Sequence, residues 1–384
     1  MQVCIITAGG AKIRSFIHQR PDWPELTWDD AALAAPLAEV RYQQGLLLGR
    51  MEGLGFELRT EASLTALTDE VVTSSAIEGE KLDRDEVRSS IASRLGLDAS
   101  GLLRSSRDVD GVVDMMIDAT RRSEAPLTRE RLFAWHAALF PTGRTGLRRI
   151  MVGAWRTPDA GPMQVLSGPI GSERVHFEAP AAERLELEMT RFLDWFNEPA
   201  TMDPVLKAGV AHFWFVTIHP FEDGNGRIAR AIADLALTRA DGTKERFYSM
   251  SAQIELERKE YYLALESAQR AGMDITAWLR WFLDCLHRAL LGAENALAIV
   301  LSKARLWERI NRRPVNERQR RVVNRLVDGF EGKLTSSKYA KLAKCSTDTS
   351  LRDIKELLER GVLVQNPGGG RSTSYRLAEP DEVR

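Results

Sequence analysis

The sequence predicts a mainly α-helical protein: a helical bundle carrying a small β-hairpin, followed by a winged helix-turn-helix. Three observations carry this prediction. Apolar residues recur at helical spacing through most of the chain. Residues 141–180 break that pattern with Gly, Pro and short β-type runs. Residues 316–377 then run helix, helix, turn, helix, hairpin.

The elements follow in order. Residues 36–54 place Leu37, Val40, Leu47 and Met51 on one side of a helix that starts at Pro36, and Gly55 stops it. Residues 60–78 form a second helix with Leu64, Leu67, Val71 and Val72 as its apolar side, and Gly79 as a C-terminal cap. Residues 84–95 and 108–122 are further helices. Thr128 is an N-cap for a helix to Phe140. Within 141–180, the runs 150–155, 163–166 and 174–177 read as a loop and hairpin, not as a domain. Helices resume at 181–197, 204–218, 226–239, 256–269 and 275–290. A long helix over 292–311 leads to Arg312-Arg313-Pro314, a domain boundary. In the last domain, 318–327, 336–343 and 347–360 are helices closed by Gly361, and 362–365 and 374–377 are strands around a Pro-Gly-Gly-Gly-Arg turn. The resulting division is an N-terminal helical extension over 1–59, a core over 60–290, a connecting helix over 291–315 and a winged-helix-like domain over 316–384.

Composition bounds the function. The chain has 384 residues, 44% hydrophobic and 28% charged, enough for two or three domains. A net charge of −1 gives no global reason to bind DNA or anionic lipid. No stretch approaches the roughly 18 apolar residues of a membrane span, and the opening segment lacks the basic start of a signal peptide. The three cysteines, Cys4, Cys285 and Cys345, are too widely spaced for a disulfide framework or metal cluster and fit a cytoplasmic protein. His136, His176, His212 and His287 show no metal-ligand spacing, so zinc is not expected.

The segment His219-Pro-Phe-Glu-Asp-Gly-Asn-Gly-Arg-Ile-Ala-Arg230 is built for phosphate chemistry. Gly224, Asn225 and Gly226 can turn successive backbone N–H groups inward, because glycine tolerates positive φ. The helix that follows adds its N-terminal partial positive charge. Arg227 and Arg230 share one side of its first turn, each able to fork two hydrogen bonds to phosphate. Asp223 is a hard oxygen ligand suited to Mg²⁺. His219 is a general base at neutral pH. Phe221 anchors the loop in the core.

This segment resembles the Fic family signature, His-Pro-Phe-x-Asp/Glu-Gly-Asn-Gly-Arg-x-x-Arg, at every specified position. The resemblance covers roughly 60–290. It implies a Fic-type helical bundle and AMP transfer from ATP to a Ser, Thr or Tyr hydroxyl of a protein, this chain itself included. It implies that His219 is the base, that Asp223 holds Mg²⁺, that Asn225 and Gly226 line an anion hole with Gly224, and that Arg227 and Arg230 contact phosphate.

Upstream, Ser74-Ser-Ala-Ile-Glu78-Gly79 resembles the family's inhibitory signature, Ser/Thr-x-x-x-Glu-Gly/Asn. Ser74 and Glu78 share a helical face, and a carboxylate there would pair with Arg230 in space needed by the ATP γ-phosphate. The hairpin at about 163–177 resembles the family's flap, whose edge can take a target segment by strand addition. The run from Arg258 to Gln269 resembles the helix that borders adenine, with Tyr262, Leu265 and Gln269 as contacts about one turn apart. His212-Phe-Trp-Phe reads as core.

The last domain offers Lys338, Lys341, Lys344, Arg352, Lys355 and Arg371, diluted by Asp348, Asp353, Glu356 and Glu359. Winged helices bind DNA or serve dimerisation and protein docking, so DNA, a second copy and a protein partner all stay open. The rival functions are removal of AMP from modified proteins, with Glu78 assisting, and a nucleotide-sensing DNA-binding regulator. Intact His219 favours transfer over sensing.

Overall fold

The computed structural model describes residues 3–6, 16–97, 105–167, 172–199, 201–311, 315–327, 332–367 and 373–378. Two compact units divide between Glu294 and Asn295, inside one long helix. The boundary motif expected at 312–314 and Arg371 of the wing lie outside the described residues.

The first unit opens with α1 (Asp30–Glu52) and α2 (Phe56–Ile77). α1 starts six residues before Pro36, because the Asp29 carboxylate caps it, accepting from the N–H groups of Ala31 and Ala32 at 2.9 and 3.1 Å. Pro36 therefore lies inside the helix. α2 buries Leu64, Leu67, Val71 and Ile77. It ends with Glu78 as C-cap, and Gly79 follows at φ 90°, a conformation that favours glycine. α3 (Arg84–Arg94), α4 (Arg107–Arg121) and α5 (Arg129–Leu139) are capped by Asp83, Ser106 and Thr128 side chains. α4 and α5 approach so closely at Gly111 that a Cβ there would stand 1.8 Å from the Ala138 carbonyl oxygen.

Seven strands occur among the described residues. β1 (Val3–Ile6), β4 (Met163–Ser167) and β5 (Arg174–Glu178) form one antiparallel sheet in the order β1-β4-β5. β1 thus lies along the β4 edge that the sequence reading left open for a target. β2 (Arg144–Thr145) and β3 (Arg148–Arg149) make a small ribbon. Residues 150–155 are not a strand as expected. Their backbone is committed elsewhere: Gly153 N–H donates to His136 Nδ1 at 3.1 Å, while Trp155 packs its ring against Phe133 and Phe221.

α6 (Leu185–Asn197), α7 (Pro204–Ile218) and α8 (Asn225–Asp241) follow. α7 is buried along almost its whole length, with Phe213, Phe215 and Ile218 fully enclosed, and it packs along α8. These two central helices hold the loop at 219–224 between them. α9 (Met250–Leu256), which was not anticipated, and α10 (Arg258–Arg270), the helix expected at 256–269, flank it and are separated at Glu257. α11 (Thr276–Asn311) is one continuous helix where two were expected. No helix among the described residues is long and apolar enough to cross a membrane.

The second unit contains α12 (Glu317–Val327), α13 (Ser336–Ala343), α14 (Thr347–Glu359) and the antiparallel hairpin β6 (Leu363–Gln365) with β7 (Tyr375–Leu377). Val322, Val323, Tyr339, Ile354 and Leu357 form its own core. Lys338, Lys341, Lys344, Arg352 and Lys355 are exposed. Asp353, counted among the diluting surface acids, is instead buried and ion-paired with Arg318 at 3.1 Å.

Candidate active site

α7 hands the chain to the motif loop at His219, which sits at φ 52° and ψ 58°. A non-glycine residue in the left-handed region needs surroundings that hold it there. Here the His219 N–H donates to the Phe215 carbonyl at 3.0 Å. Arg156 secures the next peptides: its Nε donates to the His219 carbonyl at 2.9 Å and its backbone N–H to the Pro220 carbonyl at 2.9 Å. The His219 ring is oriented by Nδ1, 3.1 Å from the Val216 carbonyl. A carbonyl only accepts, so Nδ1 carries the hydrogen and Nε2 is the acceptor nitrogen of the neutral ring. The His219 pKa is lowered to about 4, chiefly by burial, with nearby Arg156 acting in the same direction and the Val216 carbonyl, Glu78 and Asp223 opposing. The imidazole is therefore unprotonated at neutral pH.

The turn itself is closed by Asn225. Its amide donates to the Phe221 carbonyl at 2.8 Å and accepts from the Phe221 N–H at 2.9 Å. That side chain is spent on shaping the loop, so an anion would meet the backbone N–H groups here. Gly224 lies at φ 79° against the Phe140 ring. Phe221 is fully buried and stacks on His136, with centroids 4.2 Å apart. His136 Nε2 donates to the Asp223 carbonyl at 3.2 Å, which agrees with Nδ1 accepting from Gly153.

Two arginines rise from the first turn of α8. Arg230 Nε and Nη2 donate to the Ser74 hydroxyl and carbonyl at 2.9 and 2.8 Å, and Nη2 also reaches Glu78 Oε1 at 2.9 Å. Arg227 Nη1 pairs with Glu80 and its guanidinium lies 5.1 Å above the Phe140 ring. The expected Ser74–Glu78–Arg230 grouping is thus present in space.

A cavity of about 720 Å³, counted out into its open mouth, joins these groups. His219, Asp223, Gly224, Asn225, Gly226 and Glu78 line one end. Tyr262, Leu265 and Gln269 from α10 line the other, together with Val165, His176 and Phe177 of the hairpin. Glu266 clasps the hairpin to α10 by pairing with Arg174 at 2.9 Å and His176 at 2.7 Å. Arg227 and Arg230 are not at the cavity wall; they lie behind the acidic segment.

Sequence reasoning missed Arg156, His136, Tyr261, Glu266 and Glu80. Tyr261, fully buried, holds His212 through its hydroxyl at 2.9 Å. Arg156 stands 63 residues before His219 in an irregular stretch, so no local pattern marks it. Glu80 had a signal: a second acid two residues after Glu78.

Comparison with known proteins gives this geometry a family. Residues 126–237 match the model described as Fic/DOC family, and residues 16–97 match a domain of unknown function, DUF4172. Residues 126–237 are a Fic/DOC domain. The chain is 34% identical over 113 residues to the protein adenylyltransferase Fic of Nematostella vectensis, covering 29% of this chain and 25% of that protein. It is 35% identical over 109 residues to protein adenylyltransferase fic-1 of Caenorhabditis briggsae, covering 27% and 20%. The chain thus spans about a quarter of the length of these relatives. Among solved structures, a Fic family protein from Desulfovibrio desulfuricans G20 superposes with a TM-score of 0.51 at 21% identity, over 90% of this chain and 96% of that one. A Fic domain signalling protein from Bacteroides thetaiotaomicron gives 0.51 at 22% identity, over 68% and 97%. The Fic fold is shared with both.

Proposed function

We propose that the Fic domain transfers AMP from ATP to a Ser, Thr or Tyr hydroxyl of a protein and is held off by Glu78. The observation that carries this reading is one cavity shared by the acceptor nitrogen of a neutral, buried histidine and a glycine-rich anion loop at a helix N-terminus. The names of the matched adenylyltransferases support it.

In this reading His219 Nε2 takes the proton of the incoming hydroxyl as its oxygen attacks the α-phosphorus, and pyrophosphate leaves. The backbone N–H groups of Asn225 and Gly226, at the start of α8, bind the phosphate oxygens. Tyr262, Leu265 and Gln269 border the base. Asp223 fits a Mg²⁺ site: Oδ1 accepts the Gly224 N–H, leaving Oδ2 for a cation that needs one or two carboxylates besides phosphate oxygens and water. Such an ion would neutralise phosphate charge. No group of three or more His, Cys, Asp or Glu residues suited to a metal occurs among the described residues. The Glu78–Arg230 pair would exclude the γ-phosphate.

The test is incubation of wild type and Glu78→Gly with Mg²⁺ and α-labelled ATP, followed by mass spectrometry of labelled protein. AMP on a hydroxyl side chain, stronger in the variant, is the expected result. Release of AMP without any protein adduct in either protein would overturn the reading.

A further inference from the structure

Both arginines of the motif helix are met by carboxylates from one short segment. Glu78 lies 2.9 Å from Arg230 and Glu80 lies 2.5 Å from Arg227. The arginine side chains are 2% exposed, whereas those of Glu78 and Glu80 are 31% and 46% exposed. The cations are fixed inside and the anions sit at the edge with solvent on one side. The arginines are also unsaturated: Arg227 Nε and Arg230 Nη1 are buried without a hydrogen-bond partner. Buried N–H donors left unmade are costly, so both point to an anion with more acceptor oxygens than one carboxylate supplies. Glu78 further fills the space over α8, its Oε1 being 2.1 Å from where a Cβ on residue 226 would stand. Asn225 and Gly226 of the loop, and Tyr262 beyond them, still line the cavity.

We infer that Glu80 is a second competing carboxylate beside Glu78, and that the two together set how many phosphates the site accepts. With both in place the site takes a nucleoside monophosphate, whose single phosphate needs only the loop. A triphosphate needs both guanidinium groups, so Glu78 and Glu80 must each yield one. The outer position of Glu80 suits this, since a half-exposed carboxylate is resolvated when it leaves Arg227. Had Glu80 served to orient Arg227 for phosphate, it would help triphosphate binding. The inference rests on the reading of this cavity as a nucleotide site.

Calorimetry of the full chain with AMP and with Mg·ATP decides it, using wild type, Glu80→Gln, Glu78→Gln and the double variant. ATP affinity should rise about tenfold with each single change and about a hundredfold with both, since tenfold is what 1.4 kcal/mol gives. AMP affinity should stay within about twofold throughout. ATP affinity unchanged or weakened by Glu80→Gln, or AMP and ATP affinities rising together, would overturn the inference. Glu80→Ala is a second variant should the glutamine still bond Arg227, and thermal melts of each confirm folding. The two readings fail separately. A double variant that binds ATP tightly yet labels no protein would sink AMP transfer and leave this inference standing. Labelling by Glu78→Gly with ATP affinity indifferent to Glu80 would do the reverse.

Discussion

His219 joins a strained backbone to a shielded ring. Its left-handed conformation is held by Arg156 and by the Phe215 carbonyl, and its ring by Val216. A base held this way makes few ground-state contacts with nucleotide, so its removal should appear in turnover. His219→Ala is expected to lower AMP transfer by about 10²–10⁴-fold. ATP affinity by calorimetry should stay within about twofold, and a folded variant with undiminished transfer would remove His219 as the base. Arg156 acts on the same residue from behind. Arg156→Met leaves the carbonyls of His219 and Pro180 without their buried donor, each a loss of about 1–3 kcal/mol. It should lower both the melting temperature and kcat, while His219→Ala lowers kcat alone. Measuring both parameters on both variants separates a positioning residue from a catalytic one.

At the scale of elements, the proposed function assigns control to α2, which carries Glu78, and chemistry to α7 and α8, which hold the motif loop. Glu78 caps α2 at φ −85° and ψ 0°, a conformation glycine also adopts, so Glu78→Gly should keep the fold. A charge-assisted pair such as Glu78–Arg230 is worth about 1.5–3 kcal/mol, enough to change a competent population by about one to two decades. AMP labelling by Glu78→Gly is therefore expected to rise by that factor and still to require His219; equal labelling of variant and wild type at saturating ATP would place control elsewhere. These elements were legible because their information is local. Thr128 announces its helix by its cap, the hairpin by its Gly-bounded β-runs, and 219–230 by residue types at fixed spacing. The contacts of Arg156, the pairing of β1 with β4 and the Glu266 clasp join residues far apart in sequence, and no periodicity encodes them. The start of α1 was misread because Pro36 marks an N1 position in general, while the true cap, Asp29, precedes a run without helical apolar spacing. Glu80 was readable as an acid but not as a partner of Arg227, since only the turn at Gly79 brings it round.

Across the whole molecule, burial has placed neutral histidines around the site. Burial lowers the pKa of His136 and His219 to about 4 and that of His212 to about 3, against 6.5 for an exposed ring. As pH falls below 6.5 the unfolded chain takes up these protons first. The folded chain takes them only near pH 4 or lower. Between those values the unfolded state holds more protons, so each such histidine makes stability rise with pH and fall on acidification, by about 1.4 kcal/mol per pH unit where the difference is complete. A second buried cluster pulls the other way. Glu70, Asp234 and Asp241 surround the single guanidinium of Arg246, and burial raises both Asp234 and Asp241. A carboxyl that keeps its proton in the folded state gains stability on acidification, so the total slope mixes both signs. A difference between two proteins cancels the carboxylates. His136→Gln removes one titrating ring whose contacts are to the backbone at Asp223 and Gly153. Urea unfolding between pH 4.5 and 6 should show the variant less stable than wild type at pH 6. Its stability should decline less steeply toward pH 4.5, by about 1.4 kcal/mol per pH unit. Parallel pH dependences would mean that His136 is protonated in the folded protein as readily as in the unfolded chain, and that its burial under the motif loop is not maintained in solution.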